Sequence, residues 1–396
     1  MNVLVVGIGL QGRAVVHDLD RSGKVDRIFA ADLDPAAVER ALAPLGCTRA
    51  SAMRLDVANH DALGRAVSES GAGLVVCMVP PTFQKAMARA AIEGGAHFVS
   101  SSYTGEVASL EPIARDRGLV LLTEMGLDPG IDLVMARAAV DSLDEVQGLH
   151  MYGGGFPEPE AADPPLRYRI TWTFEGVLRA YRRPARVRRE GQDVGIEADH
   201  IFDEDNVFSM RVPDVGMLEA YPNGDALHYA PVFGLGPAAR DLGRFTLRWP
   251  GHCALWRSLV AMGLLDEDPI DLGGADVAPR TFLARLLEPR LRYRDDQRDL
   301  AVLRVEAWGL KEGRPRTVTL DFIDQRDLKT GLFAMNRTVG YSAAIGAQLV
   351  LSGGIGEPGL RSPARDVPPE PFFEELRSRG MRLRRREEDG LPGRMP

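Results

Sequence analysis

Cysteine is scarce: Cys47, Cys77 and Cys253 are the three in 396 residues, far apart and without a CxxC pair. Neither a disulfide framework nor a zinc knuckle can be drawn from them, and no metal is expected. No run reaches the ~20 apolar residues that span a bilayer, so no membrane partner is expected. Met1-Asn2 leads straight into a short apolar segment, without the basic n-region and apolar h-region of a secretory leader. The expected location is cytoplasmic. Positive charge is in the minority too, with 48 Lys and Arg against 56 Asp and Glu and a formal net charge of −8. A constitutive binder of phosphate backbones carries the opposite field, so no nucleic acid partner is expected.

What remains is ordinary globular usage, 45% hydrophobic and 26% charged, enough for a sizeable core. At roughly 100–200 residues per domain the length predicts two or three domains. Through the first 130 residues short β-rich runs alternate with helical patterns, which forces parallel strands and crossover helices. The strands are expected at Val3 to Val6, Ile28 to Ala31, Leu74 to Val79, His97 to Ser100 and Leu119 to Leu122. Helices are expected at Ala36 to Leu45, Phe83 to Glu93 and Leu110 to Arg117. This is a doubly wound α/β sheet over residues 1–130.

Beyond Pro129 the texture changes. Gly153-Gly154-Gly155 followed by Pro157, Pro159, Pro164 and Pro165 reads as a long loop. Alternating segments at Tyr168 to Thr173, Arg186 to Arg189, Arg244 to Trp249, Leu303 to Trp308 and Thr317 to Ile323 predict an antiparallel sheet. An α+β domain over 131–335 is expected, with a small helical insertion at about 252–300. Thr338 to Leu351 is strongly helical and stops at Gly353-Gly354. Residues 336–383 are expected to return to the first domain, which makes the middle domain an insertion, and 384–396 to fray.

The first strand runs into Gly7-Ile8-Gly9-Leu10-Gln11-Gly12 and a helical pattern, a GxGxxG turn in a strand-turn-helix setting. Gly7 permits the tight turn, Gly9 lets backbone approach a pyrophosphate, and Gly12 lets the helix sit close to the strand. The helix N-terminus, with Leu10 and Gln11, offers free N–H groups to the phosphates. Asp32 ends the second strand at the expected offset, where a carboxylate binds ribose hydroxyls and repels a 2′-phosphate. Neither Leu33 nor Asp34 brings a cation, so NAD is expected and NADP disfavoured. Asp56 either meets the adenine or caps a helix. Val79 and Pro80 either wall the nicotinamide ribose or end a strand.

Several further segments are familiar: Ser101-Ser102-Tyr103; Glu124-Met125-Gly126-Leu127-Asp128-Pro129-Gly130-Ile131-Asp132; Tyr152 to Pro157; Tyr168 to Trp172; Tyr221-Pro222-Asn223-Gly224-Asp225; Arg244 to Gly251; and Ala334 to Gly340. On these the chain resembles the saccharopine dehydrogenase family, in its saccharopine reductase-like, glutamate-forming branch, over nearly its whole length. The resemblance implies a Rossmann domain interrupted by an α+β substrate and dimerisation domain, a homodimer, and hydride transfer that interconverts saccharopine with an aldehyde and an amino acid. It also implies an enzyme of lysine metabolism with an amino-acid substrate. In that branch the Tyr-Pro-Asn motif continues with an arginine and then Asp-Ser. Here Gly224-Asp225-Ala226 follows, and with Asp32 this looks similar to lysine 6-dehydrogenase, which removes the ε-amine oxidatively. Homospermidine or carboxynorspermidine chemistry is more distant. A protein that senses NAD without turnover is the reading from another class.

The residues carry such chemistry in their own right. Asp128 and Tyr103 follow strand ends, where open α/β sheets bind ligands. A carboxylate there can move protons to or from an amine or imine, with Tyr103 orienting the substrate; an Asx-turn before Pro129 is the other reading of Asp128. Asp132 reads as a helix cap. Arg244 and Arg248 share one strand face and either can grip a carboxylate bidentately; surface roles are the alternative. Gly154 and Gly155 would offer backbone N–H groups and Trp172 an apolar wall, or else form a plain loop and a core aromatic. His252-Cys253 has no spaced partner for a metal.

Overall fold

The structure is a computed structural model, and it describes residues 1–392. The chain folds as two compact units, one of residues 1–134 with 335–380, the other of 135–334 with the chain from Met381 onward.

The first unit begins with six strands and five helices in alternation. They are β1 (Val3–Val6), α1 (Gly12–Leu19), β2 (Ile28–Asp32), α2 (Pro35–Leu42), β3 (Ala50–Arg54), α3 (His60–Ser70), β4 (Leu74–Cys77), α4 (Pro81–Glu93), β5 (His97–Ser100), α5 (Glu111–Asp116) and β6 (Val120–Leu122). α6 (Ile131–Val140) follows, and β7 (Glu145–Pro157) is the first strand of the second unit.

The second unit continues through α7 (Phe174–Ala180), β8 (Ala185–Arg189), β9 (Gln192–Ile196), β10 (Phe208–Val212), β11 (Gly216–Pro222), β12 (Asp241–Arg248) and α8 (His252–Ala261). Next come β13 (Ile270–Asp271), β14 (Asp276–Val277), α9 (Pro279–Leu287), β15 (Asp299–Lys311) and β16 (Arg314–Gln325). α10 (Ala334–Leu351), β17 (Gly359–Arg361) and α11 (Pro369–Ser378) precede a last strand, β18 (Arg382–Asp389).

The first unit's sheet has seven parallel strands in the order β17-β6-β5-β4-β1-β2-β3. Crossovers cover both faces of such a sheet, so β1 and β4 are apolar at every position and wholly buried. The second unit's sheet runs β10-β11-β12-β7-β15-β16-β18, with β8 on β12 and β9 on β8. All its pairs are antiparallel except β12 with β7. The doubly wound sheet and the α+β second layer match the expected fold class.

Four local expectations are corrected. The Gly153 to Pro157 stretch is not a loop but the end of β7, paired along its length with β15. Its glycines admit close neighbours: a Cβ on Gly154 would stand 2.5 Å from the carbonyl oxygen of Leu247, and one on Gly148 2.1 Å from the Trp308 ring. Tyr168 to Thr173 is irregular rather than a strand. β3 and β17, the two strands beyond the five expected, are a weakly apolar segment and a three-residue one. The tail is not frayed over its first part, because Arg382–Asp389 pairs with β16 from Ile323 to Arg316. Residues 393–396 of that tail lie outside the described residues.

Candidate active site

The glycine turn has the shape its spacing predicts. Gly7 has φ +90, and a Cβ there would meet the Met78 carbonyl carbon and a Val79 methyl, each at 2.9 Å. A Cβ on Gly12 would stand 1.9 Å from the Gly7 carbonyl oxygen, whereas the space over Gly9 is open to 4 Å. Among the described residues the N–H groups of Gly9, Leu10 and Gln11 make no hydrogen bond. Closed packing below and unspent donors above, at the start of a helix, suit a diphosphate.

Asp32 contributes differently from the expectation. Its Oδ2 accepts the Ile8 N–H at 2.7 Å and its Oδ1 the Leu33 N–H at 2.7 Å. The carboxylate therefore braces the turn. Asp56 accepts the Ala58 N–H at 2.9 Å, and it is Asn59 that caps α3. Pro80 stands at the N-cap of α4, and the Met78 N–H donates to the Val6 carbonyl at 2.8 Å, so Val79 is held beside Gly7.

The loops after β5 and β6 meet. The Met125 N–H donates to the Ser100 carbonyl at 2.9 Å and the Glu124 N–H to that of Ser102 at 3.0 Å, tying the two loops together beyond the strand ends. Asp128 is half-buried within a segment cross-linked by its own backbone. Gly126 N–H donates to the Pro129 carbonyl at 3.0 Å, Ile131 N–H to that of Gly126 at 3.0 Å, and Asp132 N–H to that of Leu127 at 3.1 Å. Asp132 turns its Oδ1 back to the Gly130 N–H at 2.7 Å. Tyr103 is 42% exposed. Its carbonyl accepts from Gln84 Nε2 at 3.0 Å.

Sequence reasoning missed the clamp around Tyr103. Glu124 is buried at φ +66, a left-handed conformation rare outside glycine, and its carboxylate accepts the Thr104 N–H at 3.2 Å. Thr104 and Thr123 share a 2.6 Å hydroxyl contact. Glu124 opens the Glu124 to Asp132 segment quoted above, but no local pattern signals its φ.

In the second unit Arg244 and Arg248 do share a face of β12, and both are buried rather than exposed. The Arg244 guanidinium lies 4.8 Å from the Tyr229 ring centre. Arg248 is 7% exposed and sits 5.6 Å from the Tyr168 ring centre, donating to the Leu247 carbonyl at 2.8 Å. Among the described residues no carboxylate pairs with it. Burial pushes the phenols of Tyr168, Tyr181 and Tyr221 upward and holds His252 well below its ordinary range. These four groups are therefore neutral near pH 7, and Glu219, the cross-strand neighbour of Arg248, spends its carboxylate on the Gly251 and Cys253 N–H groups at 2.7 and 3.0 Å.

Trp172 is 43% exposed, with its ring over Gly176 in the first turn of α7. Gly154 and Gly155 are strand residues of β7 beside Val302 and Ala301, so the loop that would have freed their N–H groups does not exist. Gly224 has φ +65, with the Arg183 side chain 4.0 Å from where its Cβ would be. His252 is buried and its Nε2 lies 2.9 Å from the Tyr181 hydroxyl.

A seven-stranded doubly wound sheet with a diphosphate-shaped glycine turn defines the class: a dinucleotide-binding α/β protein. Residues 3–122 match the saccharopine dehydrogenase NADP binding domain, and residues 126–381 the saccharopine dehydrogenase C-terminal domain. The chain belongs to the saccharopine dehydrogenase family. It is 26% identical to the saccharopine dehydrogenase (NADP(+), L-glutamate-forming) of Saccharomyces cerevisiae, over 96% of this chain and 97% of that protein. The apo histidine-tagged saccharopine dehydrogenase (L-Glu forming) from that yeast superposes with a TM-score of 0.85, at 26% identity, covering 98% of this chain and 99% of the other. Identity to the alpha-aminoadipic semialdehyde synthase of Arabidopsis thaliana is 27%, over 85% of this chain but 39% of that longer protein.

These findings overturn the expectation of NAD. The matched domain is an NADP-binding one and the fungal relatives carry NADP(+) in their names. The inference from Asp32 took its carboxylate as turned to a ribose, whereas both oxygens are engaged by backbone N–H groups.

Proposed function

We propose that the protein is an NADP(H)-dependent oxidoreductase acting on the C–N bond of an amino acid, with the secondary amine saccharopine as substrate and glutamate plus an aldehyde as products. The observation that carries the substrate class is Arg248. A buried guanidinium costs several kcal/mol in desolvation; among the described residues no carboxylate makes an ion pair with Arg248, and its cross-strand neighbour Glu219 is engaged by the Gly251 and Cys253 N–H groups. An amino-acid substrate supplies the missing anion through a bidentate pair.

The dinucleotide, when bound, accepts or returns a hydride at its nicotinamide. Gly7, Gly9 and Gly12 and the N–H groups of Leu10 and Gln11 would hold its diphosphate. Asp128 moves the proton that the amine or its hydrating water gives up, and Tyr103 orients the substrate. The backbone links through Gly126 and Asp132 fix the Asp128 segment in advance, which lowers the cost of reaching a reactive geometry. A homodimer and a cytoplasmic location accompany this reading, and sedimentation of the purified chain tests the first.

Lysine 6-dehydrogenase activity is the second reading, favoured by one observation. Gly224 stands in a left-handed turn without a side chain where the resembled branch has an arginine. The test is incubation with NADP(+) and, separately, saccharopine, lysine and polyamines, followed by absorbance of the reduced nicotinamide. Turnover of saccharopine supports the proposal, turnover of lysine alone favours the second reading, and binding without turnover favours a sensor.

A further inference from the structure

We propose that Arg54 reads the 2′-phosphate that separates NADP(H) from NAD(H), so that the third strand supplies the cation which the second strand lacks. This rests on the dinucleotide reading above and adds to it the residue that sets cofactor choice. β3 is the edge strand beside β2, and the register places Arg54 next to Asp32. Neighbours in register send their side chains to the same face. Arg54 thus shares the carboxyl end of the sheet with the acid that marks the ribose position in this fold.

The acids nearby already have hydrogen-bond partners. Asp32 spends both oxygens on backbone N–H groups. Asp34 caps α2 through the Ala36 N–H at 3.0 Å, and its other oxygen lies 3.5 Å from Arg40. Arg54 is left over: it is exposed and, among the described residues, makes no hydrogen bond or ion pair. Three other arginines of this unit are committed, Arg49 to the Val25 carbonyl, Arg115 to Glu111 and Arg361 to Asp366. A guanidinium without a partner, beside the ribose position, takes a phosphate dianion as a two-point donor. A 2′-hydroxyl offers it no such anion.

The test is calorimetric titration of the full chain with NADPH, NADH and 2′,5′-ADP, in wild type, R54A and R54K. R54A is expected to weaken NADPH and 2′,5′-ADP by about tenfold or more while NADH stays within about twofold, the size of one lost charge-assisted contact. R54K should recover part of the loss. Equal weakening of NADPH and NADH, or no weakening, overturns the assignment. Should wild type bind neither NADPH nor NADH, the dinucleotide reading itself fails, an outcome distinct from a failure of Arg54. Matched melting curves show that R54A is folded, as an exposed side chain without partners requires, and R54Q serves if R54A is not.

Discussion

Asp128 is proposed to move a proton and Arg248 to hold a carboxylate, and substitution tests each by itself. Asp128→Asn keeps the shape of its segment but removes the base. Its kcat is expected to fall by about 10²–10⁴, with KM and the dinucleotide Kd nearly unchanged, as steady-state kinetics and titration will read. Arg248→Met removes a buried cation that makes no ion pair among the described residues. The KM for substrate should rise by about 100-fold, the loss of a bidentate charge pair, while thermal stability holds or increases. A drop in melting temperature with unchanged KM would make Arg248 a packing residue. At this scale legibility followed locality. Gly7, Gly9 and Gly12 were readable because each role is dictated within six residues. The glycines at 153–155 were misread as a loop because their neighbours, the Leu247 carbonyl over Gly154 and the paired strand β15, lie far away in sequence. The engagement of Asp32 by the Ile8 N–H and the left-handed Glu124 are products of folding with no local signature.

β18 shows how an element escapes detection by composition. Its sequence Arg-Leu-Arg-Arg-Arg-Glu-Glu-Asp lacks the apolar alternation that signals a strand. Yet it pairs with eight residues of β16, and Arg386 reaches Asp321 at 3.0 Å, the carboxylate that also holds the buried Arg304 at 2.7 Å. Charges suit this place, because an edge strand rich in Arg and Glu resists pairing with other molecules. A chain ended at Met381 would bare the edge of β16, with Val318, Leu320 and Phe322 in it, and leave Asp321 with one cation. It is expected to unfold at lower urea concentration and to self-associate, which denaturation and size-exclusion measurements would detect. β3 and β17 escaped for a different reason, as short or weakly apolar strands that owe their place to β2 and β6.

Stability of the whole chain should carry the mark of its buried histidines. Burial holds the imidazole of His150 down to about 3 and that of His252 well below its ordinary value. Both take up protons near pH 6.5 when unfolded. The unfolded chain therefore binds more protons below that pH, and stability, complete above it, falls as pH drops toward the folded values. Each histidine contributes a slope of about 1.4 kcal/mol per pH unit in that window. Asp18 and Glu306, whose carboxyls burial raises, act in the opposite sense. His150→Phe, placed among Tyr152, Phe245 and Trp308, is expected to flatten the slope between pH 6 and 4 in urea titrations; an unchanged slope would show that His150 protonates as freely folded as unfolded.

The proposed activity is chemistry at a C–N bond. The most direct measurement mixes the purified chain with NADP(+) and saccharopine, follows reduced nicotinamide by absorbance and assays glutamate in the same tube. Reduced cofactor and glutamate appearing in equal amounts is the predicted result. Tight binding of NADP(+) with no reduction by saccharopine, lysine or any polyamine would contradict it.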